Sequence, residues 1–575
     1  MYNHSALVDE PIFVEYLDLS GGLNTKKDAH ALSRNQLAQS INGWYSSGNS
    51  LSKRPGNVAA ITASGATGSG VSGQAATSAR FLNKTVGIFQ SANTLYAAAA
   101  DALAFTNIGT VTAGGIVNST QLQDPLSNTA RLFVVTGKDA PRGWDGSGAL
   151  VALTGLPSKL TGANVPITPK YAANLFSTLF YAGDDSDPSA VWISDPFQPE
   201  SFTYSATLSP PSAYGITNGS YIPYFIGRNN GVSGGDITGL AAMRGSMIVY
   251  KQSAIYKLSL MGLYGDSVWR TDLISSSIGC LSPRSIVAFD DFHLILAIDG
   301  IYLVTIDGTK RISDNVPTFF DSTSGTPASI LDRTTAVGVR CGQRYIICFD
   351  DGGGTGAPLG RPTTGLWFDF AKLDEDGLPT VGQFAGVQIN GIVPLRGPLD
   401  DGLFLWCDGS TDRIGKFGIG SADFAQPITT SFIGKADLLT ELLGENSMAR
   451  ARKKTINDVR LFLSLPQIAT GELLTFTTTV TYDQLSSLPT IVNTLPVVVG
   501  AGNAVVGIAQ VGNPANATLG IAGATAQYQV VRANLQNPAT GKVLQIGFSE
   551  SSIYPWTTLG YAAEVAVDRL GGIDV

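Results

Sequence analysis

The sequence predicts a mainly β protein: a β-propeller-like body with an N-terminal arm/platform segment and a C-terminal β-sandwich-like domain. Glycine is abundant, with 66 of 575 residues, and only 14% of residues are charged against 44% that are apolar. Short alternating strands joined by tight turns recur at a spacing of roughly 40–60 residues, the size of a four-stranded propeller blade. No WD or kelch signature is present, so a pair of β-sandwiches is the alternative.

The N-terminal segment, residues 1–79, is predicted to be an arm and linker that form part of a platform. Gly21 and Gly22 mark a turn. The apolar pattern from Leu32 to Ile41, with Ser33 and Gln36 as a capping box, predicts a short helix. Residues Asn57–Ala79 are rich in alanine, glycine, serine and threonine and predict a loop.

Residues 80–425 are predicted to form the propeller-like body, because strand–turn–strand units repeat there. Six such units are visible, each with a turn signal between two apolar segments: Val86–Gln90 with Ala92–Tyr96, Ser177–Tyr181 with Ala190–Ser194, Met247–Tyr250 with Ala254–Leu258, His293–Ala297 with Ile301–Val304, Arg344–Cys348 with Gly365–Asp369, and Gly402–Trp406 with Arg413–Phe417. A hairpin cannot bury its own face, which favours a radial array.

Residues 426–575 are predicted to form a second β domain. The segment Phe432–Leu443 has the pattern of a short helix, and Asn457–Leu463 has that of a strand. From Gln484 to Val531 no residue is charged, and the β-branched residues in this stretch favour strands.

No catalytic constellation is found, and we expect neither enzyme activity nor a cofactor or metal. Asp350–Gly356 resembles a phosphate loop but lacks the following Lys-Ser/Thr. Asp184–Asp187 and Asp374–Gly377 are interpreted as acidic turns, with a bound calcium ion as the alternative. The four cysteines (280, 341, 348 and 407) show no C-x₂-C spacing and the three histidines are scattered, so buried thiols are expected and zinc is not.

A basic cluster stands before the Asn457–Leu463 strand: Arg450, Arg452, Lys453 and Lys454. It is either a contact patch for DNA phosphate or an acidic partner, or a solvated face beside the strand. Five tryptophans are expected in the cores of blades rather than on ligand platforms: Trp44, Trp192, Trp367, Trp406 and Trp556. The net charge of −8 provides no overall basic footprint for nucleic acid.

Two stretches of the chain, residues 17–56 and residues 237–315, carry a distinctive set of segments. These are Leu17–Thr25, Asn42–Trp44, Lys53–Gly56, Gly239–Tyr256, Gly279–Ser285 and Ile298–Tyr302. In these segments the chain resembles the tail nozzle family, also called tail tubular protein B, of short-tailed bacteriophages.

The resemblance implies a structural virion protein, made in the host cytoplasm, that forms a homohexameric ring below the portal and adaptor. Such a ring closes the tail channel and conducts genomic DNA without sequence-specific binding. The implied partners are further copies, the tail adaptor protein, and tail fibre or spike proteins. Candidate adaptor or inter-subunit contacts lie in the arm: Leu23, Asn24, Trp44, Lys53, Arg54 and Pro55.

Two features of composition agree with this expectation. A low-charge surface suits burial between neighbouring subunits, because interface cores are depleted in charge. Net acidity suits a DNA conduit, because cationic contacts make the duplex adhere. No apolar leader or long apolar span is visible in the sequence. The alternative function is a carbohydrate-binding or depolymerase propeller protein of the tail that contacts the host surface.

Overall fold

The computed structural model describes residues 11–567 except for several internal segments. These are residues 46–48, 63–72, 82–83, 92, 100–104, 124–129, 160–164, 203–223, 228–232, 261–268, 322–331, 351–363, 375, 387–388, 395–402, 408–412, 419, 438, 440–452, 466–471, 483–490, 500–526 and 535–539. The described part is almost entirely β-structure, which confirms the predicted mainly-β, propeller-like class. None of its helices has the length and apolarity needed to span a membrane.

The arm contributes seven strands. They are β1 (Ile12–Tyr16), β2 (Gly22–Leu23), β3 (Gln36–Leu37), β4 (Gln39–Ile41), β5 (Gly43–Tyr45), β6 (Leu51–Lys53) and β7 (Asn57–Thr62), with a 3₁₀ turn at Ala29–Ala31. The predicted helix over residues 32–41 is therefore wrong. The Gln36 side chain does accept a hydrogen bond from the Ser33 backbone N–H at 3.2 Å, but within a turn between the 3₁₀ turn and β3.

The predicted loop over residues 57–79 is also wrong, because it contains β7 and most of the first blade strand, β8. Small residues are compatible with a strand when a neighbouring strand pairs with them along their length. β8 pairs with β9 over eight positions, from Gly73 opposite Ser91 to Phe81 opposite Lys84.

Seven four-stranded antiparallel blades follow one another around the body: the first five are separate sheets, and the last two belong to a larger 14-stranded sheet. The first four are blade 1, with β8 (Gly73–Phe81), β9 (Lys84–Ser91), β10 (Thr94–Ala99) and β11 (Thr106–Thr110); blade 2, with β12 (Asn118–Gln123), β13 (Ala130–Val135), β14 (Arg142–Trp144) and β15 (Val151–Ala152); blade 3, with β16 (Tyr171–Leu175), β17 (Thr178–Asp184), β18 (Asp187–Ile193) and β19 (Tyr224–Phe225); and blade 4, with β20 (Ile237–Met243), β21 (Ser246–Lys251), β22 (Ile255–Leu260) and β23 (Trp269–Ser275).

The remaining three blades complete the ring. They are blade 5, with β24 (Val287–Ala288), β25 (His293–Leu296), β26 (Ile301–Val304) and β27 (Thr309–Arg311); blade 6, with β28 (Asp332–Cys341), β29 (Arg344–Asp350), β30 (Thr364–Leu373) and β31 (Pro379–Ala385); and blade 7, with β32 (Ile389–Pro394), β33 (Leu403–Cys407), β34 (Arg413–Phe417) and the arm strand β7. Two further 3₁₀ turns flank blade 5, at Pro283–Ser285 and Pro317–Phe319. The first strand of blade 7 lies against the first strand of blade 1, which closes the seven-bladed propeller.

Each of the six predicted hairpins is the second and third strand of a blade. The hairpin of blade 2 was not predicted, because β14 is only three residues long and its connection lacks an Asn-Gly or Asp-Gly turn. The blades are held together by apolar clusters between neighbours, such as Phe180, Val191 and Tyr256 between blades 3 and 4. Adjacent blades therefore bury each other's faces, as in other radially repeated sheets.

The C-terminal domain consists of two sheets that enclose one core. Its strands are β35 (Ala422–Asp423), β36 (Gln426–Ile433), β37 (Lys454–Leu465), β38 (Glu472–Tyr482), β39 (Ile491–Val499), β40 (Gln527–Asn534), β41 (Thr540–Gly541), β42 (Leu544–Ser552) and β43 (Thr557–Val567). Phe432 and Ile433 belong to β36, and residues 434–437 are not helical, so the helix predicted for Phe432–Leu443 is wrong over these residues; residues 438 and 440–443 lie outside the described part.

The arm is built into both sheets of this domain. β1 pairs with β43, and β6 pairs with both β43 and β5. β4 lies between β36 of the C-terminal domain and β31 of blade 6, so one continuous sheet runs from the propeller into the C-terminal domain. The common core includes Tyr16 from the arm, Trp367 from blade 6 and Phe548 from the C-terminal domain.

Candidate functional site: the junction of arm, propeller and C-terminal domain

The end of the arm carries two consecutive buried cations, Lys53 and Arg54. Lys53 is the last residue of β6, and its ammonium donates to Glu550 Oε2 at 3.0 Å and to the backbone carbonyl of Ser552. Both side chains of the Lys53–Glu550 pair are fully buried. Burial lowers the pKa of Lys53, and the Glu550 carboxylate partly offsets this. The pair joins the arm to strand β42.

Glu550 also accepts a hydrogen bond from a tryptophan. The indole Nε1 of Trp556 donates to the same Oε2 atom at 2.8 Å. Within the described part of the chain, the other carboxylate oxygen, Oε1, has no hydrogen-bond partner. Glu550 is therefore held by one charged donor and one neutral donor on a single oxygen.

Arg54 binds segments from three parts of the chain. Its guanidinium forms a bidentate ion pair with Asp423, with NH1 at 3.0 Å from Oδ1 and NH2 on Oδ2. Nε donates to Asn42 Oδ1 at 2.8 Å, and NH2 donates to the Ala385 carbonyl at the end of blade 6. The guanidinium also lies 4.4 Å from the centre of the Phe384 ring. Planar bidentate pairing of this kind is specific to arginine.

Trp44 and Pro55 lie at the edge of this junction and are half-buried. The Trp44 ring is 5.5 Å from Trp367 and 4.5 Å from the guanidinium carbon of Arg344. The Pro55 carbonyl accepts from Arg54 NH1 at 3.1 Å. Trp44 therefore packs the arm onto blade 6, and Pro55 helps to hold the Arg54 guanidinium.

Leu23 and Asn24 are buried elsewhere in the arm. Leu23 belongs to the apolar cluster between blades 5 and 6. The side-chain oxygen of Asn24 caps a turn by accepting from the backbone N–H groups of Lys26 and Lys27, at 3.0 and 3.2 Å. A buried side chain does not reach a neighbouring molecule in this conformation. In this conformation the side chains of Leu23, Asn24, Lys53 and Arg54 hold the chain to itself. That the arm contacts an adaptor or another subunit stays a prediction.

The predicted basic patch is described only in part, and its contact with a partner stays a prediction. Arg450 and Arg452 lie outside the described residues, and Lys453 is exposed. Lys454 is fully buried and donates to the Lys542 carbonyl at 2.8 Å, so it is not part of an exposed patch.

A different charged cluster lies on the outer face of the C-terminal domain. Asp458 Oδ2 accepts from Arg460 Nε at 2.9 Å and from Arg532 Nε at 2.6 Å, with Glu564 nearby. Asp458 and Arg460 are two positions apart in the predicted strand, so the sequence alone indicates that they lie on the same face. Arg532 comes from a strand 74 positions away and could not be assigned to the cluster from spacing.

The predicted acidic turns are hairpin turns and loops. Asp184 accepts from the backbone N–H of Ser186 at 2.8 Å, and Asp374 accepts from the backbone N–H of Leu378 at 2.8 Å. Residues 351–356 of the glycine-rich segment lie outside the description. In the described ranges no group of three or more histidine, cysteine or acidic side chains is placed to hold a metal ion.

Three of the five tryptophans are fully buried: Trp192 in blade 3, Trp367 in blade 6 and Trp556 in the C-terminal domain. The side chain of Trp406 lies outside the description. Within the described ranges, two phenylalanines are strongly exposed instead. Phe176 and Phe197 are each more than half exposed and have left-handed backbone conformations, with φ of 51° and 61°. The exposure of these two side chains could not be predicted from the sequence, because phenylalanine is usually a core residue.

The comparisons with known proteins give the chain no family. No family model and no curated protein sequence matches it. Three solved structures are similar at 10% identity. A BBS1N structure in complex with ARL6DN has a TM-score of 0.35 and covers 64% of this chain and 99% of its own. The extracellular domain of the putative hybrid two component system BT4673 from B. thetaiotaomicron has a TM-score of 0.41, with 90% and 64% coverage. A Chaetomium thermophilum Polycomb Repressive Complex 2 structure bound to GSK126 has a TM-score of 0.33, with 60% and 95% coverage. Likenesses this low support no functional argument.

Proposed function

We propose that this protein is a structural subunit of a phage tail nozzle: a virion protein that assembles as a sixfold ring below the adaptor and conducts DNA. The observation that carries the proposal is the integration of the arm. Residues 17–56, which bear the resemblance to the nozzle family, supply strands to the C-terminal domain and lead directly into blade 7. An arm of this kind fits the platform that the resemblance implies.

The chemistry of the described residues is compatible with a non-enzymatic role. The buried charged groups at the junction are a lysine, an arginine and two carboxylates that pair with one another. A catalytic site instead needs a nucleophile, acid or base that can reach a substrate. The proposed partners are other copies of the chain, the adaptor, and fibre or spike proteins, and DNA passes without base-specific contact.

The test is negative-stain microscopy and native mass measurement of the purified chain, alone and with the portal–adaptor complex of its virion. The nozzle proposal expects a sixfold ring, formed either spontaneously or only on the adaptor. A ring of unrelated sequence and similar acidity is the matched control, and it must not recruit the chain. A chain that stays monomeric in both mixtures contradicts the proposal.

A second candidate, a carbohydrate-binding propeller, is favoured by Phe176 and Phe197. Exposed aromatic rings offer apolar faces on which sugar rings can stack. The discriminating experiment is a glycan array probed with the unmodified chain and with the double variant Phe176→Ala/Phe197→Ala. Binding that is lost in the variant, together with failure to form a ring, would favour this function over the nozzle.

A further inference from the structure

The seventh blade depends on a strand from the opposite end of the propeller sequence. β34 pairs with β7 from Arg413 opposite Thr62 to Phe417 opposite Asn57. Without β7, blade 7 would have three strands and an open outer edge. The integrity of this blade therefore depends on how firmly the chain just before β7 is held.

That preceding segment is anchored to two different parts of the protein by adjacent residues. Lys53 binds Glu550 in β42, and Arg54 binds Asp423 in β35, the short strand that follows blade 7 and pairs with both β36 and β7. The backbone is fixed at the same two positions, because Lys53 N–H donates to the Trp556 carbonyl and Arg54 N–H donates to the Asn42 carbonyl.

The residues between these anchors and β7 are held by backbone hydrogen bonds and close packing. Gly56 N–H donates to the Gly420 carbonyl at 3.0 Å, and Gly418 N–H donates to the Gly56 carbonyl at 3.1 Å. A Cβ atom on Gly56 would lie 2.1 Å from the Ala422 carbonyl oxygen, so the two segments are in close contact. Asp423 also accepts from Asn57 Nδ2 at 2.8 Å, so one carboxylate holds both Arg54 and the first residue of β7.

We propose that Lys53 and Arg54 form a clamp that couples blade 7 of the propeller to the C-terminal domain, so that neither opens without the other. Withdrawing the arm would leave Glu550 and Asp423 as buried charges without their cations, which is costly. Detaching β7 would remove Asn57 from Asp423 and pull on the segment that holds Arg54. The two domains therefore behave as one cooperative unit, whereas domains within a chain usually move relative to each other.

The test is hydrogen–deuterium exchange, read by mass spectrometry, on the full chain and on Arg54→Lys. This variant keeps the charge but loses the bidentate geometry. We expect exchange to become about tenfold faster or more in two groups of peptides: those covering β7 and β34, and those covering β36 and β42. Peptides from blades 2 and 3 should be unchanged.

The matched control is Arg131→Lys, which disturbs another arginine–carboxylate pair. Arg131 NH1 lies 2.7 Å from Glu200 Oε1 and joins blades 2 and 3. In this control only peptides from those blades should exchange faster. If Arg54→Lys accelerates exchange in blade 7 alone, or in the C-terminal domain alone, the coupling is disproved.

A second measurement needs no variant and so avoids any failure to fold. Native-state exchange of the unmodified chain is followed in low concentrations of denaturant. Coupling predicts that the slowest amides of β34 and β42 share one opening free energy and one denaturant dependence. Two separate dependences for these strands would overturn the proposal. Both experiments compare strands within one chain, so their outcome neither supports nor contradicts ring assembly.

Discussion

Tyr16 and Asp437 are separated by 421 positions in the sequence, yet the tyrosine hydroxyl donates a 2.7 Å hydrogen bond to the carboxylate. The Tyr16 ring also stacks on Tyr561, with 4.7 Å between ring centres. Burial raises the pKa of Tyr16 well above its ordinary value, so the hydroxyl stays a donor at any physiological pH. The contact fastens the first described strand to the segment after β36.

Removing this hydroxyl should destabilise the protein. In Tyr16→Phe the Oδ2 atom of Asp437 loses its donor, while Oδ1 keeps the Leu439 N–H, and we expect a loss of about 1–3 kcal/mol in the free energy of unfolding. The measurement is denaturant unfolding followed by tryptophan fluorescence. Tyr302→Phe is the control, because its partner Asp299 is half exposed and can be solvated by water. Equal losses in the two variants would contradict the prediction.

Lys53→Met should cost more than Tyr16→Phe. It leaves Glu550 as a buried charge that has lost its cation, for which a loss of about 3–5 kcal/mol is typical. The double variant Lys53→Met/Glu550→Leu removes both charges and should recover a large part of that loss. Unfolding free energies of the three proteins provide the check, and a double variant as unstable as Lys53→Met would refute the electrostatic explanation.

Gly56→Ala tests the close packing before β7. The added Cβ would lie 2.1 Å from the Ala422 carbonyl oxygen, and backbone must shift to make room. We expect a lowered melting temperature, with a cost of about 2 kcal/mol or more. Gly308→Ala is the matched control, since a Cβ there has nothing within 4 Å. The control should melt within a degree or two of the unmodified protein.

His293 should make the protein acid-sensitive. Burial lowers its pKa to about 4, whereas the unfolded chain titrates near ~6.5. Nε2 donates to the Ala242 carbonyl at 3.0 Å, so Nδ1 accepts from the Tyr250 hydroxyl at 2.7 Å and the ring is neutral. Between pH 6.5 and 4 the unfolded state binds a proton that the folded state does not, and stability falls as the pH is lowered through this window.

Below pH 4 the loss in the free energy of unfolding that is caused by His293 reaches its full value of about 3 kcal/mol. The check is the difference between the pH profiles of the unmodified protein and His293→Gln, which cancels the contribution of the carboxylates. The unmodified protein should lose more stability than the variant between pH 6.5 and 4. Parallel profiles would show that His293 does not titrate differently on folding.

Phe176→Asn should stabilise the protein. Phe176 and Ser177 form the two-residue turn between β16 and β17, with φ of 51° and 56°. A left-handed conformation at both positions favours asparagine and glycine, and the gain is about 1 kcal/mol. Phe176→Ala removes the ring without relieving the backbone and should give no gain. Thermal unfolding of both variants decides between relief of strain and loss of an aromatic contact.

The turns of the blades were predictable, whereas their edges were not. His293–Ala297 and Ile301–Val304 show alternation on both sides of an Asp-Gly turn, so their pairing follows from local sequence. The outer strands carry weaker signals, as in Val151–Ala152, which is two residues long and exposed. The strand β7 could not be placed in blade 7, because its partner β34 is distant in the sequence.

The sequence identified the two cations of the candidate site but not the carboxylates that bind them. Lys53 and Arg54 were singled out by a resemblance, but their partners Glu550 and Asp423 lie 497 and 369 positions away. Spacing carries no information over such distances. The short helix expected at residues 32–41 failed because β4 pairs with strands on both sides, and tertiary pairing outweighed a weak local preference.

Because β7 closes blade 7, it cannot find its partner strand until most of the propeller has been synthesised. A ribosome adds about 5–20 residues per second, and β34 follows β7 by roughly 350 residues, so β7 waits roughly 20–70 s for its partner. During this interval the arm strands have unpaired edges, and β1 waits longer still for β43. The nascent chain is therefore most exposed to aggregation at its beginning, and slower growth at low temperature lengthens that interval.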